Sequence, residues 1–500
     1  MVFSSLEFIY LFLPPVLAGF LFLRALRWEG AIIWWLIAAS LAFYAWWSPI
    51  HLILLLSSIA ANFAVHRVLQ RNRSKALLVF GIVGNLSLLA WFKYADFLLD
   101  NIAGAVGADY SKLGIVLPLA ISFFTFQQIS FLLDTWNDKI ESCDFKRYVL
   151  FVTFFPQLIA GPIVLQKDTI PQFHLSNFVS RSGLNFAIGG TLFAIGFFKK
   201  VVLADGIAPY ANTVFAAADA GQALPMDAAW IGAFAYTFQI YFDFSGYCDM
   251  ALGIARMFGL KLPINFNSPY KALSISEFWR RWHITLSRFL RDYLYIPLGG
   301  NRSGRLGRHG NLLATMLLGG LWHGAGWNFV IWGGLHGSFL IINHAWRDLI
   351  KSHTITRLVP PMVRVALSWA ITMLAVIVAW VFFRAETFSG AMIVLNAMFI
   401  PNTSLIAIPE LVIAERAFGV FAIACLILVV TALPNSIELT RDYRPVINTK
   451  AELKETITAW FGMAWRPVPK WGAVVMVMSC VALVQLYRLN DLTEFIYFNF

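Results

Sequence analysis

The sequence predicts an all-α, polytopic integral membrane protein. Three observations carry this: few charges, long apolar stretches, and positive charge gathered at alternate ends of those stretches. Of the 500 residues, 59% are hydrophobic and 13% charged, about half the ~25% charge of a typical soluble domain. The apolar stretches approach the ~20 residues an α-helix needs to cross the hydrocarbon core. They fall at 6–23, 31–47, 52–65, 76–91, 113–133, 184–198, 228–242, 311–321 with 329–342, 363–383, 411–433 and 472–486. About eleven spans are therefore expected, with re-entrant and interfacial helices besides, because several stretches are short or interrupted.

The first stretch begins without a basic leader, and Arg24 and Arg27 follow it. This pattern fits a retained first helix with its N-terminus outside. His66, Arg67, Arg71, Arg73 and Lys75 follow the third stretch, and Lys139, Lys146 and Arg147 follow the fifth, while 48–51 and 96–109 are neutral or acidic. Odd-numbered ends inside and even-numbered ends outside is a consistent topology. The formal net charge of +11 then follows from the positive-inside rule, and nucleic acid is not an expected partner. Membrane lipids are. Cys143, Cys248, Cys425 and Cys480 show no CxxC spacing, and they read as buried small hydrophobes. No linker separates soluble domains, so residues 1–500 form one transmembrane domain, with a catalytic core at roughly 113–345.

The polar stretch 271–308 holds eight of the 38 Lys and Arg residues but only two acids, Glu277 and Asp292. Within it, 274–295 reads as one amphipathic helix that opens with a Ser274/Glu277 capping pair. At roughly 100° per residue, Ile275, Phe278, Trp279, Trp282, Leu286, Phe289, Leu290 and Tyr293 share an arc of about 120°. Glu277, Arg280, Arg281, Arg288, Arg291 and Asp292 lie opposite. Ile284 is the exception, apolar on the polar face. Such a helix suits a membrane surface, or a bundle that turns its arginines toward an anionic ligand.

Nine histidines occur. His51, His66, His174, His309 and His353 read as residues of polar loops or span ends. His323 interrupts an apolar stretch, and an ionisable group at membrane depth is a functional candidate by default. Seven glycines lie from Gly319 to Gly337, suited to close helix approach or to leaving room for a ligand. His283 sits at the edge of the apolar arc, about 40° beyond Trp279. His336 and His344 are weaker candidates. An imidazole near neutrality accepts a proton from a hydroxyl, help worth ~10²–10⁴ in rate. GxSxG, HExxH and Walker A sequences are absent, and no metal site is expected.

Taken together, several segments resemble one family. They are 1–5, 43–47, 155–162, 243–247, Asn265-Phe266-Asn267-Ser268-Pro269-Tyr270, Phe278-Trp279-Arg280-Arg281-Trp282-His283, 295–301, Leu321-Trp322-His323-Gly324 and 380–385. In number and order they resemble the membrane-bound O-acyltransferases, in the bacterial branch that holds the alginate O-acetyltransferase membrane subunit. The resemblance implies a ring of tilted helices around a thinned centre, with funnels from both faces meeting at His323 as catalytic base. It implies His283 as the second polar catalytic position, orienting substrate or helping an oxyanion. It implies substrate contacts from Trp279, Arg280, Arg281, Trp282, Asn265, Asp243, Trp322 and Asn328. Arg280, Arg281, Arg288 and Arg291 become candidates for donor phosphates, with Arg288 and Arg291 dedicated to the coenzyme. No cofactor is held permanently; acetyl-CoA or another acyl thioester, or an acyl carrier, is the donor. The acceptor is an extracytoplasmic acetyltransferase or a polysaccharide such as alginate, at the bacterial inner membrane. Peptidoglycan, cellulose and teichoic acid are alternative acceptors. A transporter or flippase of an acylated precursor is the rival class, for which Asp243 and Asp249 would be the intramembrane acids.

Overall fold

The computed structural model describes residues 1–140, 143–302, 304–351, 360–400, 416–449, 463–488 and 495–496. His353 and the first residues of the expected 411–433 span lie outside the described residues. No strand occurs among the described residues. The elements used below are α1 (Glu7–Ala25), α2 (Glu29–Trp47), α3 (Pro49–Arg71) and α4 (Lys75–Val106), then α5 (Ile121–Trp136). After these come α6 (Ser182–Asp219), α7 (Met226–Met257), α8 (Ile275–Arg281), α9 (Ile284–Leu290), α10 (Gly304–His323) and α11 (Trp327–Lys351). The last are α12 (Pro361–Arg384), α13 (Arg416–Ala432) and α14 (Pro469–Arg488).

Seven described helices are long and apolar enough to cross a membrane: α1, α2, α3, α4, α6, α12 and α14. The other four expected spans differ for local reasons. The 113–133 stretch is helical only from Ile121, after Pro118 and the left-handed Ala120. The 228–242 stretch grows into α7, a 32-residue helix buried along nearly its whole length. The stretch around 311–342 divides into α10 and α11, and 411–433 is described from Arg416. Large apolar side chains such as Phe22, Phe80, Ile371 and Phe421 point outward from these helices, as a lipid-facing surface requires. Cys425 and Cys480 are exposed with them, and only Cys143 and Cys248 are buried. The expectation that the cysteines are buried therefore fails for two of the four. An outward face in lipid is apolar too, so an apolar run alone does not signal burial.

α7 is the axis of the bundle, and α6 lies against it at backbone contact. A Cβ on Gly196 would meet the Gly246 carbonyl oxygen at 2.4 Å, and one on Gly189 would meet that of Gly253 at 2.6 Å. Lipid tails give no hydrophobic drive between helices, so such small-residue seams are what bring them together. Beside the seam α6 makes a π turn, Lys199–Ala204. It aims Lys200 Nζ at Asp205 and Asp243 (2.8 Å each) and Lys199 Nζ at Asp249 (2.7 Å). Ser436 Oγ donates to the second oxygen of Asp249 at 2.7 Å. His66 is buried within α3, not in a loop, with Nδ1 2.8 Å from Thr135 Oγ1 of α5.

Candidate active site

The predicted amphipathic helix 274–295 is broken in its middle. Trp282 is extended and His283 is left-handed (φ 42°, ψ 52°), a conformation uncommon for any residue but glycine. The break is held from outside. Residues 265–267 lie along it, so that Asn267 N–H donates to the Arg281 carbonyl (2.9 Å) and Ile284 N–H to the Asn265 carbonyl (3.0 Å). Ser274 Oγ caps α8 by accepting from Glu277 N–H (3.2 Å), while Glu277 Oε2 accepts from Leu273 N–H (2.9 Å). Because the break rotates α9, Ile284 is buried, and it is no longer an apolar residue on a polar face.

The kink turns His283 into the bundle, fully buried, with Nδ1 3.1 Å from Asn265 Oδ1. The Phe244 ring stands edge-on at 4.8 Å. His323 is the last residue of α10, and α11 starts four residues later, at Trp327. Gly320 and Gly333 of this hairpin bring the two helices to backbone contact. A Cβ on Gly320 would lie 2.2 Å from the Phe329 carbonyl oxygen, and one on Gly333 2.3 Å from that of Met316. The C-terminal carbonyls of α10 are met by a π turn of α4, Ala90–Tyr94. Lys93 Nζ donates to the carbonyls of Trp322 (2.5 Å) and His323 (3.3 Å), and Tyr94 Oη donates to that of Leu321 (2.9 Å). A cation there complements the negative end of the helix dipole.

The two imidazole rings are 6.5 Å apart between centres. Trp322, Trp332 and Phe383 stand 4.9–5.1 Å from the His323 ring. His323 is 2% exposed. One oxygen, hydrogen-bonded to both rings at the ~2.6–3.2 Å of a catalytic contact, fits that separation. The arrangement suits general-base chemistry on a hydroxyl in a water-poor aromatic enclosure.

The other predicted site residues divide. Trp322 lines the pair, 6.2 Å from the His283 ring, while Trp282 packs behind it, edge-on to Phe266 and tilted against Trp380, each at 4.9 Å. Trp279 Nε1 donates to His336 Nδ1 at 3.2 Å, in the wall beside Trp332. Asn328 is a structural tie, its amide donating to the Ala385 carbonyl (2.8 Å). Asp243 holds Lys200 and accepts from Ile496 N–H (3.0 Å), so its carboxylate serves the bundle core. Arg281 pairs with Glu277 (2.7 Å) and donates to the Asn267 carbonyl (3.2 Å), which makes it part of the bracket around the break. Arg291 pairs with Asp292 (2.7 Å), and that hydrogen bond raises its guanidinium above the ordinary value. Arg280 is exposed. Arg288 acts on Asp168, whose carboxyl is raised by burial against the pull of Lys167 and Arg288.

Sequence reasoning missed Lys93, Tyr94 and Thr285. Only Lys93 left a signal, as a lone cation closing the apolar run 76–91.

A model of the membrane-bound O-acyltransferase family matches residues 137–384. The chain is 44% identical to the peptidoglycan O-acetyltransferase of Helicobacter pylori, over 80% of each chain. It is 42% identical to the probable alginate O-acetylase AlgI of Azotobacter vinelandii, over 80% of this chain and 78% of that one. It is 29% identical to the teichoic acid D-alanyltransferase of Streptococcus thermophilus, over 48% of this chain and 59% of that one.

Proposed function

Because the chain belongs to the membrane-bound O-acyltransferase family, we propose that it carries an acetyl group from a cytoplasmic thioester, acetyl-CoA or an acyl carrier, to a hydroxyl of an exported polysaccharide or of a partner that passes it on. The observation that carries this is the buried His283–His323 pair, 6.5 Å between ring centres, on two helix breaks inside the bundle. His323 takes the proton of the acceptor hydroxyl as its oxygen attacks the thioester carbonyl. The tetrahedral intermediate collapses by breaking the C–S bond, and the proton returns from the imidazolium to the thiolate. The products are the acetyl ester and the free thiol. The buried aromatic wall excludes water, which would otherwise hydrolyse the thioester.

The bacterial inner membrane is where a cytoplasmic thioester and an exported polymer share one protein. The relatives named above point to peptidoglycan or alginate as the acceptor polymer. The test is expression of the chain in a host that makes both polymers unacetylated, with ester-linked acetate measured on each. Acetate on a polymer that depends on His323 supports the proposal. Label that crosses the membrane without ester formation, unaffected by His323→Ala, supports a transporter instead.

A further inference from the structure

Asn265 is 1% exposed and sits one hydrogen bond from His283. Its amide orientation is settled by a neighbour. Thr285 N–H, a backbone group that only donates, points at Oδ1 (3.3 Å), so that atom is an oxygen. Thr285 Oγ1 accepts from Ile163 N–H (2.9 Å) and donates its own proton to the same oxygen (2.9 Å). The amide nitrogen faces Cys248 Sγ at 3.4 Å. Since Oδ1 only accepts, His283 Nδ1 carries the proton, and in the neutral ring Nε2 carries the lone pair.

We infer that Asn265 is a positioning residue that fixes His283 in its Nδ1–H form, so that His283 meets the acceptor hydroxyl through Nε2 as a hydrogen-bond acceptor. The inference rests on the acyl-transfer reading and sharpens it: a neutral ring held this way orients the hydroxyl and does not donate to an oxyanion. The left-handed backbone of His283 serves the same end. The bracket from Asn265 and Asn267 to Ile284 and Arg281 fixes the main chain, and the Asn265 side chain then sets the ring. A strained residue over-determined by its surroundings is what a functional position shows.

The experiment is acetyl transfer by purified full-length protein in lipid vesicles, with kcat and KM for each substrate measured for wild type, Asn265→Leu, Asn265→Asp, His283→Ala and the Leu/Ala double variant. Asn265→Leu should lower kcat about tenfold to a hundredfold, short of the ~10²–10⁴ that a whole acid–base group carries, with KM for the thioester unchanged. Asn265→Asp keeps the accepting oxygen and should restore most of the loss. In the His283→Ala background, Asn265→Leu should cost almost nothing further, because its effect passes through the missing ring. The inference is overturned if Asn265→Leu costs the same factor with and without His283. It is equally overturned if Asn265→Asp, eluting as wild type in size-exclusion chromatography, is as slow as Asn265→Leu. Should His283→Ala leave no measurable turnover, the Leu-against-Asp comparison decides. A wild type that acetylates no hydroxyl overturns the acyl-transfer reading and this one with it, whereas an active wild type with additive variants overturns this one alone.

Discussion

Replacing Lys200 by methionine isolates the charge at the centre of the bundle. The ammonium sits 2.8 Å from one oxygen each of Asp205 and Asp243, and the three residues are 4%, 3% and 1% exposed. Methionine keeps most of the side-chain volume, so little cavity forms. What is lost is compensation of two buried carboxylates at the contact between α6 and α7. Removing one partner of a buried pair costs about 3–5 kcal/mol, because the remaining charge stays desolvated. Removing the whole set is far cheaper, so Lys200→Met with Asp205→Asn and Asp243→Asn should recover most of the loss. An asparagine at 243 still accepts from Ile496 N–H, the contact seen in the structure. The assay is unfolding in mixed detergent micelles, followed by intrinsic tryptophan fluorescence. A Lys200→Met variant that unfolds within about 0.5 kcal/mol of wild type, the range of an ordinary surface change, would refute a buried charge held by compensation. So would a triple variant no more stable than the single one.

Gly196→Ala should destabilise by about 1–3 kcal/mol, the cost of overpacking, since its Cβ would press on the Gly246 carbonyl; Gly84→Ala, whose Cβ meets nothing, is the control in the same unfolding assay. Lys93→Met should remove up to ~2 kcal/mol of helix-end stabilisation and lower kcat severalfold by loosening His323, with Lys93→Arg less affected; steady-state kinetics and thermal unfolding check both. Arg281→Ala should slow turnover by loosening the break at His283 while leaving KM for the thioester unchanged, and a rise in that KM alone would place Arg281 on donor phosphate instead.

His323 was legible because a histidine inside an apolar run has few structural uses, and the family resemblance singled it out as well. His283 was legible from its place at the edge of the apolar arc. Its left-handed backbone was not, since the helical period of 274–295 runs straight through it. The trace of the break was Ile284, the one residue that fitted neither face, whose burial the break explains. The partners of the arginines were hidden for a related reason. Periodicity showed which face they share but not that Glu277 and Asp292 on that face would hold two of them. The glycines after Gly319 left two meanings open, close packing or ligand room, and only the backbone contacts at Gly320 and Gly333 separate them. Asp243 and Lys200 stand 43 positions apart, and Lys93 stands 229 positions from Trp322. Pairings across such separations follow from how the helices assemble, which no local pattern records. The number of spans was blurred by the same cause: α7 is buried among other helices along nearly its whole length and so need not be as apolar as a helix that faces lipid.

The most direct test of the central claim uses wild type and His323→Ala reconstituted in sealed vesicles, with acetyl-labelled thioester on one side and a hydroxyl acceptor on the other. If His323 at its break is the base that joins the two, wild type places label in ester linkage on the acceptor, and the folded alanine variant loses at least ~10²-fold in rate. Undiminished ester formation by His323→Ala would contradict the account.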